Sequence, residues 1–164
     1  INNAGIGLRK PTEDVAEEEF MEVLNVHVMG AFSLSKWAAR SMFESGGGSI
    51  LFTASMTSYF SVPGVTSYAA AKSAYLGMVR NMAAEWAPKG IRVNAIAPGW
   101  IETDLSRASL EDPVRSAKIL GRTPMARFGE AEDIGWAAVY LASPAAKFVT
   151  GVCLPVDGGV LIGL

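Results

Sequence analysis

Between residues 17 and 44 apolar side chains recur every three or four positions, at Phe20, Val23, Leu24, Val28, Ala31, Leu34, Ala38 and Met42, with polar residues between them. That period predicts one long amphipathic helix, with Thr12 and Asp14 as cap chemistry upstream. Gly46, Gly47 and Gly48 end it in a turn that leads from helix to strand. Residues 49–54 are then apolar without alternation, as a strand buried on both faces of a parallel sheet requires. Pro63 and Gly64 mark a loop, and a second helix is predicted over 67–86, closed by Pro88 and Gly90. Residues 91–97 read as the next strand, and Pro98-Gly99 breaks the chain. A polar, irregular stretch follows to about Gly129, then a helix over 130–141 and a last strand over 152–156. With a strand ending at Asn2 in front, the order is β-α-β-α-β-α-β. Such alternation predicts an α/β, doubly wound parallel sheet in a single domain, with ligands beyond the carboxyl ends of the strands.

Charge narrows the field of partners. A net charge of −2, from 14 basic and 16 acidic interleaved residues, offers no basic stripe, so neither nucleic acid nor an anionic membrane surface is expected as a partner. Lys36, Arg40, Lys72, Arg80 and Glu85 interrupt the apolar stretches before any reaches the roughly 18 residues a membrane span needs. Cys153, the single cysteine, cannot form an internal disulfide and is expected to pack as a small hydrophobe, which fits a reducing, cytoplasmic setting. One His, one Cys and scattered carboxylates lack metal-ligand spacing, and no metal is expected. Ile1 runs straight into Asn2-Asn3-Ala4-Gly5 with no initiator Met or signal in front, so these residues are expected to belong to a longer polypeptide.

Candidate chemistry gathers around the second predicted helix. Tyr68 and Lys72 are four residues apart, one turn along the same face, and can act on one substrate. A phenol near pKa 10 serves as a base at neutrality only if its phenolate is stabilised. Burial works against that, and the Lys72 ammonium is expected to work for it. Ser55, 13 residues before Tyr68, stands just past the carboxyl end of the first buried strand, where a hydroxyl can donate to a carbonyl oxygen that becomes negative as hydride arrives. Asn25 sits unusually in mid-helix.

These residues, in this order, resemble the short-chain dehydrogenase/reductases from Asn2 to Gly159. The resemblance implies a Rossmann-like sheet lacking the family's first strands and helices. It implies catalytic roles for Asn25, Ser55, Tyr68 and Lys72: Ser55 orients the substrate carbonyl, Tyr68 is the acid/base, Lys72 binds nicotinamide ribose, and Asn25 holds a relay water. Asn3, Ala4 and Gly5 are similar to the loop after the family's fourth strand. Pro98, Gly99, Ile101 and Thr103 are similar to the segment that grips the nicotinamide, and Val156-Asp157-Gly158-Gly159 to the C-terminal signature. The implied cofactor is NAD or NADP, the substrate a small carbonyl or alcohol, such as a sugar acid, polyol or 3-oxoacyl thioester. A homotetramer or dimer is implied, with the first two long helices and the C-terminal strand as candidate interfaces.

Other features weigh less. The family's glycine loop for the pyrophosphate would precede Ile1, and Gly46-Gly47-Gly48 cannot replace it, because a phosphate turn leads into a helix N-terminus. That absence makes a noncatalytic member acting only through subunit assembly the alternative. His27 lies within a helix without a Gly-x-Ser-x-Gly elbow and is expected to be packed or solvated. Trp37, Trp86 and Trp136 are expected to pack between helices, and Trp100 to line a pocket. Arg107, Arg115 and Arg122 in the lid-like stretch 102–127 can meet an acidic substrate.

Overall fold

The computed structural model describes residues 1–104 and 106–163. Three parallel strands form its sheet: β1 (Gly48–Thr53), β2 (Ile91–Pro98) and β3 (Cys153–Val156), in the order β1-β2-β3. Register is set by pairs such as Phe52 with Ala95 and Ala95 with Cys153. Helices α2 (Gly30–Glu44) and α3 (Thr66–Trp86) cover one face, and α1 (Glu17–Leu24) packs on α3. The helix α6 (Ala131–Ala142) covers the other, beyond two short helices α4 (Arg107–Leu110) and α5 (Pro113–Gly121). The α/β parallel architecture expected from the sequence is present.

Burial on both faces explains why β1 and β2 show no alternation. Ile50 and Phe52 face the α2–α3 side with Val79, Tyr75 and Val93, while Leu51 and Ile96 face Leu141 of α6. Each side of the sheet removes its apolar residues from water, at about 25 cal/mol for each Å² buried. Arg92 ties the layers, its guanidinium donating to the carbonyls of Leu141 at 2.6 Å and Ala142 at 3.3 Å, where the C-terminus of α6 favours a cation. Gly47 must be glycine: its φ is +131°, and a Cβ there would stand 2.4 Å from the Gly90 carbonyl oxygen.

The structure corrects several sequence expectations. Of the strand expected to end at Asn2, these residues hold the end alone, an isolated parallel bridge from Asn2 to Phe52. The long helix over 17–44 is interrupted by a π-helical turn, Asn25–Met29, where the Gly30 N–H donates to the Asn25 carbonyl. Such one-residue insertions tend to mark functional sites. Thr12 and Asp14 do not cap α1; the Glu19 carboxylate accepts the Ala16 N–H at 2.9 Å, while the Thr12 hydroxyl pairs with Thr66. The stretch before Gly129 contains α4 and α5, the latter capped by Asp112, whose carboxylate accepts the Val114 and Arg115 N–H groups, with Pro113 in the first turn. Trp86 packs edge-on against Phe43, but Trp37 and Trp136 are 74% and 65% exposed, on helix faces turned away from the sheet. No helix among the described residues is long and apolar enough to cross a membrane.

Candidate active site

At the end of β1 the Ser55 backbone is extended, and its hydroxyl oxygen accepts the Thr57 N–H at 3.1 Å, capping a tight turn over Met56–Ser58. Helix α3 packs against that turn, which places Tyr68 beside Ser55 and Lys72 one turn behind it. The Lys72 ammonium donates to the Thr53 carbonyl, 5.5 Å from the Tyr68 ring centroid and 5.0 Å from that of Tyr75. Ser55, Tyr68 and Lys72 therefore form one cluster at the carboxyl end of the sheet, as the sequence spacing predicts.

Electrostatics in the cluster follow burial. The Tyr68 phenol is raised above 10.0 by desolvation, which the neighbouring Ser55 hydroxyl partly opposes. Lys72 is 4% exposed, and burial brings its ammonium down to about 8. Burial thus dominates at Tyr68, whose phenol is raised. The apolar surroundings that raise the phenol also weaken the ammonium, and the Thr53 carbonyl already takes one of its N–H bonds.

Asn25 is not brought into this cluster. Its side chain is exposed at the start of the π turn, and among the described residues no hydrogen bond joins it to Ser55, Tyr68 or Lys72. His27 is brought in instead, buried with its ring edge-to-face against Tyr68, centroids 5.5 Å apart.

Two loops leave the sheet beside the cluster. Asn2 is pinned along β1, donating to the Leu51 carbonyl at 2.8 Å and accepting the Thr53 N–H at 2.9 Å, and the Thr53 hydroxyl donates to the Asn3 side chain at 2.9 Å. Asn3, Ala4 and Gly5 are exposed beyond that anchor. Beyond β2 the Gly99 N–H donates to the Val156 carbonyl, and a Cβ on Gly99 would stand 2.5 Å from the Asp157 Cα. The Asp157 carboxylate in turn accepts the Gly159 and Leu161 N–H groups at 2.9 Å, which fixes the Val156–Gly159 turn against Pro98 and Gly99. Ile101 bridges Gly129, and Ser106 accepts the Thr103 N–H at 3.0 Å. Trp100 lines a cavity of about 170 Å³ with Ile101, Arg127 and Asp157, a space that Ser55, Tyr68 and Lys72 do not line.

Residues 1–161 match a family model described as Enoyl-(Acyl carrier protein) reductase. The chain belongs to the short-chain dehydrogenase/reductases. This short-chain dehydrogenase/reductase is 45% identical over 161 residues to 2-dehydro-3-deoxy-D-gluconate 5-dehydrogenase of Bacillus subtilis, covering 98% of the chain and 63% of the relative. It is 38% identical to 5-keto-D-gluconate 5-reductase of Escherichia coli, covering 100% of the chain and 65% of that protein. Among solved structures, a gluconate 5-dehydrogenase from Burkholderia cenocepacia in complex with NADP and tartrate superposes with a TM-score of 0.96 at 37% identity, over 99% of this chain and 64% of that one. The chain thus spans just under two thirds of the length of these relatives.

Two features of this dehydrogenase/reductase chain escaped sequence reasoning. His27, expected to be packed or solvated, is packed on Tyr68, through a π turn that nothing in the spacing announces. Arg9 carries no local sequence signal, being remote in sequence from the lid. It lies beside the loop at Gly64, where a Cβ would be 3.7 Å from the Arg9 Cγ, and its guanidinium is lowered by burial and by the like charge of Arg115. Arg115 stands 5.6 Å over the Trp100 ring and Arg122 5.3 Å over that of Phe60. Among the described residues the ion pairs are Lys10 with Glu19, Arg107 with Asp104 and Arg127 with Asp133, so Arg9, Arg115 and Arg122 have no carboxylate partner.

Proposed function

We propose that these residues are the catalytic part of an NAD(P)-dependent oxidoreductase that interconverts an alcohol and a carbonyl on a sugar acid. The observation that carries this reading is the convergence of Ser55, Tyr68 and Lys72 at the carboxyl end of β1. In the oxidative direction Tyr68, as phenolate, takes the substrate hydroxyl proton; in the reductive direction the neutral phenol returns it. Ser55 donates a hydrogen bond to the same substrate oxygen and holds it against Tyr68. The nicotinamide, when bound, accepts or supplies the hydride.

The residues present fit such a cofactor. Lys72 is a buried ammonium with one protein carbonyl as its hydrogen-bond partner among the described residues, which leaves two N–H bonds for hydroxyls such as those of ribose. Asn3, Ala4 and Gly5 would flank it on one side, and Pro98, Gly99, Ile101 and Thr103 on the other. Hydroxyls on Lys72 also hold its charge in place, which favours the Tyr68 phenolate. Asn25, exposed, lies outside the set. The B. cenocepacia structure holds NADP and tartrate, and the relatives named above are sugar-acid enzymes, which supports NAD or NADP as cofactor and an acidic substrate. In the full-length protein, gluconate or a keto-gluconate with NADP or NAD should change nicotinamide absorbance. Absence of turnover with every such pair would overturn the reading.

Arg9, Arg115 and Arg122, without a carboxylate partner among the described residues, are the cations offered to a substrate carboxylate. Replacing Arg9 or Arg115 by Met should raise KM for a sugar acid about tenfold, the loss of one charge-assisted hydrogen bond, while KM for a neutral polyol of equal length stays put. Equal changes for both substrates would remove the arginines from specificity.

We also infer assembly as a dimer or tetramer, through α2 and through α6 with the segment around β3. Trp37 on α2, Trp136 on α6 and the fully exposed Phe148 are large apolar surfaces that a second copy would cover. Light scattering of the full-length protein should give a multiple of the chain mass, and Trp136→Asp should lower it. A cytoplasmic location accords with the free thiol of Cys153, half-buried against the core.

A further inference from the structure

Arg115 carries a positive charge that its surroundings do little to favour. It is the third residue of α5, at the end of the helix where the macrodipole is itself positive. Asp112 is turned to the main chain, its carboxylate accepting the Val114 and Arg115 N–H groups at 2.9 and 3.1 Å, and makes no ion pair with the guanidinium. A second cation, Arg9, is near enough to feel the like charge. Among the described residues the half-buried Arg115 has no carboxylate partner. What its guanidinium lies over is the Trp100 ring, 5.6 Å from the centroid.

The ring stands at the ligand end of the sheet. Trp100 is two residues past the end of β2, as Ser55 is two past the end of β1, and the strands pair in parallel through Thr53 and Ile96. Both residues therefore leave the sheet at its carboxyl end, where an α/β sheet holds its ligand. Arg9 lies beside Gly64, in the loop that leads into α3 and Tyr68. Arg115 thus has the exit of β2 and the entry to the Tyr68 helix as its neighbours. An indole face holds a guanidinium through its quadrupole, which is a weak contact where solvent reaches it. A carboxylate accepts two N–H bonds from the same fork and is the stronger partner. A neutral polyol offers no such exchange.

We propose that Trp100 is a specificity-determining residue that acts through Arg115: its ring seats the guanidinium while no acid is bound, and the substrate carboxylate takes the guanidinium from it. This rests on the reading of the substrate as a sugar acid given under the proposed function, and adds the group with which that substrate competes. Trp100 itself makes no bond to the carboxylate. A seat of the strength of an exposed cation–π contact holds Arg115 on the ring with about a threefold preference, and the affinity for an acid is lower by the same factor.

The test uses the full-length protein with Trp100→Leu, Trp100→Phe, Arg115→Met and the double variant W100L/R115M. The readouts are KM for gluconate and KM, or Ki where it is not turned over, for the neutral polyol sorbitol. W100L should lower KM for gluconate about threefold and move the sorbitol value less than twofold; W100F, which keeps a weaker aromatic face, should fall between. In the R115M background W100L should change KM for gluconate no further, because the ring acts only through the guanidinium. A second readout is indole fluorescence in protein that also carries Tyr68→Phe, with oxidised nucleotide bound. Gluconate should change it, sorbitol should not, and the change should vanish when W100F or R115M is added. An unchanged or raised KM for gluconate in W100L, or equal shifts for both ligands, would overturn the inference, as would a fluorescence response that survives R115M. If W100L does not fold, an unchanged KM in W100F does the same. Turnover of sugar acids without a Trp100 response overturns this inference alone. An Arg115-dependent response to gluconate in a protein whose wild type turns over no sugar acid overturns the proposed function and keeps the seat. Neither turnover nor response overturns both.

Discussion

Replacing Tyr68 by Phe in the full-length protein removes turnover by about a thousandfold, within the range that a positioned general acid/base contributes, and leaves nucleotide affinity within about twofold. The phenol is the one group of the cluster that can carry the substrate proton in both directions. Ser55 already accepts the Thr57 N–H and is poised to donate its own hydrogen, and Lys72 is committed to the Thr53 carbonyl. Because burial raises Tyr68 above 10.0, its phenolate is scarce at neutral pH, and alcohol oxidation by the wild type should accelerate as pH rises. Carbonyl reduction uses the neutral phenol, so it should hold its rate at neutrality and fall only in alkali. Steady-state rates in both directions across pH, with nucleotide Kd measured separately, check both statements. Y68F retaining more than about a tenth of the wild-type rate would remove Tyr68 from proton transfer.

Some of this site was legible in the sequence because it follows from local rules. Tyr68 and Lys72 share a helix face by their spacing alone, and Ser55 lies at a strand end because residues 50–52 are apolar on both faces of the sheet. The sheet itself was legible for the same reason. What could not be read depends on contacts between distant segments. The π turn at Asn25–Met29 has no periodic signature distinct from an α-helix over so few residues, so the resemblance alone points to Asn25, while His27, two residues on, faces Tyr68. Helix α5 was legible in principle, since Asp112-Pro113 is a cap followed by a first-turn proline, but the polar run around it masked the signal. Asn94, fully buried in β2, read as part of an apolar strand; it donates to the Val149 carbonyl at 2.9 Å and accepts the Val152 N–H at 3.2 Å, which ties β2 to the segment leading into β3. Those partners are 55 and 58 residues away, beyond any local pattern.

Lys72→Met should cost activity and add stability, and the two effects together distinguish a functional lysine from a structural one. Loss of the ammonium removes both the ribose contact and the charge that favours the Tyr68 phenolate, so kcat/KM should fall about 10²- to 10³-fold, as for removal of one preorganised donor. Stability moves the other way. The folded-state pKa of Lys72 is depressed from 10.5 to about 8 by desolvation. Below about 8 the group is charged in both folded and unfolded chains, and the folded state bears the full cost of burying the charge, on the order of 3 kcal/mol. Between about 8 and 10.5 the folded chain releases its proton while the unfolded chain keeps it, so this cost shrinks as pH rises. Methionine fills the space without a charge but strands the Thr53 carbonyl, a loss of about 1–3 kcal/mol, which leaves a net gain on the order of 1 kcal/mol at pH 7. Thermal unfolding of K72M against wild type should therefore show the variant ahead by a few degrees near pH 7 and the wild type gaining on it toward pH 10. A K72M protein less stable at pH 7 would mean that the ammonium is compensated in the folded chain beyond its bond to Thr53. Undiminished turnover would place the stabilisation of the phenolate elsewhere, with Ser55 the next group to replace.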